Sequence, residues 1–288
     1  MTTIKSNDLT YDYKKKTSAG KIKIKVWGKS QIVMLLTFLS LSFLTVYGFL
    51  TFDLKGISIV QATIDTLYNL KVMFLQPSFS HFTLWDAVVQ IGLTLGLGFL
   101  STLIGVIISL FLALFAAKNL SSKTVSTAII VVVTFIRAVP TVLWVLIFAI
   151  AAGLGSEAVI LGMVFHSVAF LVKAFSESFE EVDEGIIEAL RASGANWWHI
   201  VTHAVIPSTA SSLLSWSFLR FETNFTVAVA MGAAAGAGGI GFELLMASGF
   251  YFDLREVGFI TYFILIIAIG LELFSTQLKK RFLSNASA

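Results

Sequence analysis

Cysteine is absent from this chain of 288 residues, which excludes disulfide bridges and thiolate metal sites. Charge is almost as scarce. Only 13% of residues are Asp, Glu, Lys or Arg, against about 25% in soluble domains. Hydrophobic residues make up 57% and the mean hydropathy is +0.88, so the chain is an integral membrane protein. A net charge of +3 leaves no electrostatic footprint for nucleic acid. No GxxxxGK[ST] phosphate-binding loop occurs, so any ATP must be hydrolysed on another chain. The four histidines stand at 81, 166, 199 and 203. His199 and His203 share a helix face at i, i+4, but no carboxylate joins them in a HExxH pattern, and no metal site is expected. Gly236 to Gly241 (GAGGIG) matches GxGxxG by letter. An apolar span precedes it where a dinucleotide fold needs a strand, so that reading is rejected.

What the chain does have is a succession of apolar runs, which predicts an all-α polytopic membrane protein with six transmembrane helices. Residues 1–30 are polar and lysine-rich (Lys14, Lys15, Lys16, Lys21, Lys23, Lys25, Lys29), and read as a largely disordered tail that meets anionic headgroups. A second region, 31–84, joins a first span near Ile32–Leu50 to a mixed stretch. Within it, Ile59–Leu75 reads either as an interfacial amphipathic helix or as a simple loop. The core, 85–281, holds the remaining spans, near Trp85–Ala117, Thr124–Gly153, Ala158–Phe179, Ser208–Ala230 and Val257–Leu278. In the second span small residues recur every four positions (Ser101, Gly105, Ser109, Ala113, Ala117, with Gly92 and Gly96 before them). Such a stripe allows close helix approach in lipid. Lys and Arg in short loops (the tail, Lys118, Lys123, Lys279 to Arg281) collect on one side, which predicts cytoplasmic termini.

Charges inside spans are costly and mark either a pathway or a buried pair. Arg137 lies one turn from Pro140 in the third span, where the proline frees a carbonyl and kinks the helix. His166 and Lys173 lie in the fourth span. Arg220 and Asn224 share a face of the fifth, with Glu222 roughly two positions round. Two readings stand. Arg137, Pro140, His166, Arg220, Glu222 and Asn224 line a polar path, or an Arg–Glu ion pair fixes helix packing. Lys173 and Glu177, at i, i+4, read as a solvated pair.

One polar, helix-prone island interrupts the oil: Glu188 to Pro207, EALRASGANWWHIVTHAVIP. Glu188, Ala189 and Leu190 are good helix formers, Gly194 permits a bend, and Pro207 suits the first turn of the next helix. Trp197 and Trp198 supply groups of the kind enriched in interface anchors. The spacing resembles the signature of ATP-binding-cassette importer permeases, Glu-Ala-Ala, three residues, Gly, nine residues, Ile-x-Leu-Pro. Glu188, Ala189, Gly194 and Pro207 match; Leu190, Ala204 and Ile206 depart. In that family the segment is two short helices bent at the glycine, docking into the ATPase.

The last two-thirds of the chain resembles phosphonate-type permeases of the same class. The matching stretches are Arg137-Ala-Val-Pro140, Val142-Leu-Trp144, His166-Ser167, Glu188 to Gly194, Arg220-Phe-Glu-Thr-Asn224 and Gly236 to Gly241. Family members tend to carry an arginine two residues after the asparagine; here it is Thr226. The resemblance implies a type I importer permease with a cytoplasmic coupling loop over 180–207, itself without an ATPase site. Its implied partners are a cytoplasmic ATPase dimer bearing ATP and Mg, an extracytoplasmic substrate-binding protein and a second permease copy in a bacterial cytoplasmic membrane. The implied cargo is phosphonate or a related phosphorus oxyanion. Thr226 and Glu222 favour another solute, such as an amino acid, on the same architecture. A secondary carrier or membrane enzyme would act with no ATPase at all.

Overall fold

The computed structural model describes residues 14–16, 22–24, 28–51, 56 and 58–286. Most of the basic tail, and with it the expectation of disorder, lies outside the described residues. The chain divides into two units, 1–63 and 64–288. In the first, β1 (Lys14–Lys16) and β2 (Ile22–Ile24) pair antiparallel, Lys15 opposite Lys23. The helix α1 (Lys29–Thr51) is long and apolar enough to span. Its threonines lose nothing in oil, because Thr37 and Thr45 each donate to the carbonyl one turn back at 2.9 Å.

The other described elements are all helices, joined by loops. The amphipathic stretch is a helix, α2 (Ile59–Leu75). Its last turn is held by Tyr262, whose hydroxyl donates to the Phe74 carbonyl at 2.7 Å. The longest span, α3 (Leu84–Ala116), opens on a reciprocal cap. The Thr83 hydroxyl accepts the Asp86 N–H, and the Asp86 carboxylate accepts the Thr83 N–H. Its small-residue stripe faces α6 (Ser156–Glu180) as expected: Ser101, Gly105, Ser109, Ala113 and Ala117 are all buried. Gly92 and Gly96 do not extend it, since both are exposed with open space about them. Thr94 and Gly98 take the corresponding buried places.

The third span differs from a kinked helix. It is two helices, α4 (Lys123–Ala138) and α5 (Thr141–Ala152), bent by 89° at Pro140. A proline at 140 cannot donate to the carbonyl of Ile136, and in lipid a free carbonyl is costly. The Ile136 carbonyl keeps one long bond, from the Val139 N–H at 3.4 Å, and the Trp144 indole adds a shorter one at 3.0 Å. The break is stable because the chain carries its own repair one turn later. Gly162 of α6 then lets α5 lie directly on it. A Cβ there would stand 2.6 Å from the Val145 backbone.

After α6 come α7 (Glu184–Ala192) and α8 (Trp197–Ile200). A π-turn (Val201–Val205) follows, and then α9 (Ile206–Ala234), α10 (Ile240–Leu245), a second π-turn (Met246–Phe250) and α11 (Leu254–Ala286). The glycine-rich loop before α10 is a packing turn. Gly236, Gly238 and Gly239 have φ of 64°, 75° and 81°, and the Gly239 N–H donates to Gln90 of α3 at 2.9 Å.

Four described helices are long and apolar enough to cross a membrane, five if α4–α5 counts as one. The six expected spans are not all met on that measure. The one that falls short is α9. Its 29 residues reach about 44 Å, but its polar face keeps it less apolar than a lipid-facing helix. Gly162→Ala should force α5 from α6 and destabilise by about 1–3 kcal/mol, read as a lower melting temperature in detergent. Gly92→Ala, with nothing within 4 Å, should melt as wild type.

Candidate functional site

The polar face of α9 turns inward, toward α3 and α6, and its residues make one connected cluster. Ser167 of α6 sits at the centre. Its hydroxyl accepts from Arg220 Nε at 2.9 Å and from Asn224 Nδ2 at 3.0 Å, and donates to the Met163 carbonyl at 2.6 Å. That uses both lone pairs and the proton. Asn224 Nδ2 also donates to Thr102 of α3 at 2.9 Å, and Thr102 donates to the Gly98 carbonyl. Asn224 and Ser167 are fully buried and Arg220 is 5% exposed. They tie three helices together.

The cluster has one open edge. Arg220 Nη2 donates to His166 Nδ1 at 3.1 Å, and His166 is only half-buried. Nη1 has no partner among the described residues and is not among the sealed-off atoms that lack one. One turn along α6 from His166, the Phe170 ring carries two cations, with the guanidinium carbons of Arg220 and Arg137 at 5.4 and 5.9 Å from its centroid. Arg137, at the end of α4, is exposed. Among the described residues no carboxylate lies within ion-pair distance of either arginine. The Arg–Glu pair, one of the two readings of the sequence, is not found among the described residues. Glu222 lies about half a turn round α9 from Arg220, half-buried on the side of exposed Thr226, and cannot reach the cluster. Pro140 shapes the α4–α5 break. Lys173 and Glu177 do pair, at 2.6 Å and well exposed, as a solvated pair.

The second assembly is the elbow over Glu188 to Pro207. Asp183 caps α7, its carboxylate accepting the Gly185 N–H at 2.7 Å. Gly194 ends it with φ of 82°. The Gly194 N–H donates to the Arg191 carbonyl and the Ala195 N–H to the Leu190 carbonyl, both at 3.0 Å. This paired pattern needs a left-handed residue where glycine stands. The two tryptophans part company here. Trp197 turns inward, donating to the Leu120 carbonyl at 2.9 Å and stacking on Phe115. Trp198 is 57% exposed. Glu188, Ala189 and Gly194 are exposed too, whereas Leu190 packs on the core beneath. Arg191 donates to the Asn119 carbonyl at 3.3 Å, so the elbow is bolted to the α3–α4 loop. Pro207 sits in the first turn of α9, as expected. The helix does not start afresh there, since α8 runs into α9 through the π-turn.

The family described as "Binding-protein-dependent transport system inner membrane component" matches residues 105–284. The chain belongs to this family. It is the permease component of an ABC importer. The permease is 35% identical over 207 residues to the phosphite transport system permease protein PtxC of Stutzerimonas stutzeri, covering 72% of this chain and 74% of that one. It is 32% identical over 188 residues to the phosphate-import permease protein PhnE of Mycolicibacterium smegmatis, covering 65% of this chain and 35% of that protein. In fold it is similar to a chain of the MetNI methionine ABC transporter solved in inward-facing conformations, with a TM-score of 0.64 at 20% identity. That match covers 71% of this permease and 99% of that chain.

Sequence reasoning missed the partners that organise the permease's cluster. Ser167 passed as the companion of His166, and Thr102 and Phe170 as span filler, because neither residue type signals a site by itself. It also passed over a third group, His81, Asp253 and Glu256, whose candidate ligand atoms lie within 4.8 Å of one another. Buried Glu256 is already spoken for. One oxygen accepts the Ser80 and His81 N–H groups, and the other meets His81 Nδ1 at 2.8 Å. The Asp253 carboxyl is held below its ordinary pKa, foremost by a hydrogen bond from the Ser80 side chain. The group clamps the α2–α3 loop to the start of α11, and its hydrogen bonds close on themselves.

Ser167→Ala would leave the Arg220 Nε–H and one of the two Asn224 Nδ2 hydrogens without an acceptor. The expected loss is about 2 kcal/mol or more, read by thermal unfolding. Ser217→Ala, a half-buried hydroxyl that only bonds back within α9, should cost under about 0.5 kcal/mol.

Proposed function

We propose that this permease imports a phosphorus oxyanion, phosphite or a phosphonate, through a path that the open edge of the α3–α6–α9 cluster helps to form. The observation that carries the reading is the pair of guanidiniums, Arg137 and Arg220, that share Phe170 without a carboxylate near either. A buried guanidinium keeps its charge, and burying it without a counter-charge is costly. An anion at the Nη1 edge would relieve that cost. Arg137, exposed, attracts the anion. Arg220, fixed by Ser167 and His166, supplies the immobile charge. Asn224 holds Arg220's helix in register and does not itself touch the solute. The similarity to a phosphite permease over most of both chains supports the same cargo.

Power comes from a partner ATPase dimer that carries ATP and Mg and grips the elbow through Glu188, Ala189 and Trp198. The elbow is hydrogen-bonded to the loop that holds Lys118, at the end of the bundle rich in Lys and Arg. This supports its lying in the cytoplasm. Nucleotide-driven movement of the elbow reaches the cluster directly, because α8, the π-turn and α9 form one helical run from Trp197 to Ala234. The path needs a second copy. Glu222 and Thr226 face away from the protomer's cluster in the middle of a span, where lipid is a poor neighbour for a carboxylate. A binding protein on the far side delivers the anion.

Proteoliposomes holding the permease and its ATPase should take up phosphite only with ATP and binding protein. Uptake without the ATPase, or none with every component present, would overturn the reading. Trp198→Ala should lower substrate-stimulated ATP hydrolysis about tenfold or more while leaving the melting temperature unchanged. Gly194→Val should strain the elbow by about 1–2 kcal/mol and lose coupling with it.

A further inference from the structure

The elbow presents two imidazoles on its surface. His199 lies in α8 and His203 in the π-turn that follows it, and both are exposed. Their ring centroids stand 6.0 Å apart, with the planes at 76°. The other two histidines are engaged elsewhere, His81 with Glu256 and His166 with Arg220. The tautomer of His203 follows from its partners. Nδ1 lies 3.1 Å from the His199 carbonyl oxygen, which can only accept, so Nδ1 carries the proton. The Thr202 hydroxyl, 2.9 Å from Nδ1, accepts there too, since its own proton goes to the Trp198 carbonyl at 2.8 Å. The neutral ring then presents a lone pair at Nε2. Histidines that ligate metal hold this form, with the other ring N–H donated to a backbone carbonyl or a carboxylate. The spacing fits a shared ion. A zinc–imidazole bond is about 2.0–2.1 Å long and the nitrogen stands about 1.1 Å from the ring centre, so two rings on one ion have centres up to about 6.4 Å apart. The pair lies inside that limit. Its i, i+4 separation is that of the two histidines in a HExxH helix. What this chain lacks is the glutamate of that pattern, which serves hydrolysis and takes no part in chelation.

We infer that His199 and His203 together bind a divalent transition-metal ion, zinc, nickel or copper, through two imidazole nitrogens, with water completing the coordination. Neutral imidazole suits these ions, whereas magnesium and calcium take oxygen ligands. Two ligands supply far less affinity than a closed four-ligand zinc site, and the expected dissociation constant is about 1–100 µM. The bound ion bridges α8 and the π-turn and closes a ring across the junction where the elbow runs into α9. The hydrogen bonds from His203 Nδ1 fix one ring in advance, so binding has little more than the His199 side chain to order. The site belongs to the elbow itself. It depends neither on the partner that the elbow meets nor on the solute that the permease carries.

The full-length permease in lipid nanodiscs, purified without a histidine tag, tests this by calorimetric titration with zinc and nickel. Each ion should bind at about 1–100 µM, and magnesium should not bind. His199→Gln and His203→Gln, both at exposed positions, should melt as wild type without metal. Each should weaken zinc about tenfold or more, because a lone imidazole loses the gain of paired ligands. Zinc should raise the melting temperature of the wild type and leave that of either variant where it was. His81→Gln, which alters the separate group of His81, Asp253 and Glu256, should leave zinc affinity unchanged. Copper(II) added to the wild type should show two equatorial nitrogen ligands by electron paramagnetic resonance. Zinc binding that survives either elbow substitution undiminished, or that is lost with His81→Gln, overturns the inference. So does a copper spectrum with a single nitrogen, or a titration that does not saturate by about 1 mM zinc.

Discussion

The Ser167 hydroxyl is the point on which this structure turns. It is one small group on α6, yet it holds Arg220 and Asn224 of α9, and through Asn224 it holds Thr102 of α3. A span with an arginine and an asparagine on one face cannot lie against lipid. The face must find its hydrogen bonds in neighbouring helices. Small residues make that possible. Gly105 lets α3 approach Ser167, and Gly98 lets it approach the backbone of Asn224 and Phe225. The packing of α3 and the polarity of α9 are thus one design, and the second could not exist without the first.

The same constraint ties the elbow to the cluster. The elbow is rigid where it meets the protein, through Trp197, Arg191 and a glycine in the left-handed conformation. It is exposed at Trp198 and Glu188. Because α8 passes into α9 without a break, displacement at the elbow is displacement of the helix that carries Arg220. The π-turn before Pro207 is the one place in that run where the backbone ladder is irregular. A wide turn absorbs the missing proline N–H at little cost.

Much of this could be read without coordinates. The amphipathic stretch at Ile59–Leu75, the small-residue stripe from Ser101 to Ala117, the bend at Gly194 and the shared face of Arg220 and Asn224 all follow from local rules of period, size and φ. Other features did not follow. The third span looked kinked and is broken by 89°, because nothing in a run of apolar residues says that Trp144 will return to cap Ile136. Trp197 and Trp198 looked equivalent as neighbours of the same type. Glu222 looked like a counter-ion. Each depends on which side of a helix meets which neighbour, and two positions along a helix is enough to separate Glu222 from Arg220.

What the residues alone determined was the class of molecule: a membrane-embedded bundle carrying a glycine-bent polar elbow of the importer type. Hydropathy and glycine stereochemistry are local properties, and they survive without a fold. Only the tertiary structure decided that Arg220 is buried among neutral partners, that it shares Phe170 with Arg137 from a helix some eighty residues earlier in the chain, and that the single carboxylate nearby in sequence is turned away. The charge balance of a site is set by distances across helices, and spacing along one helix does not contain them.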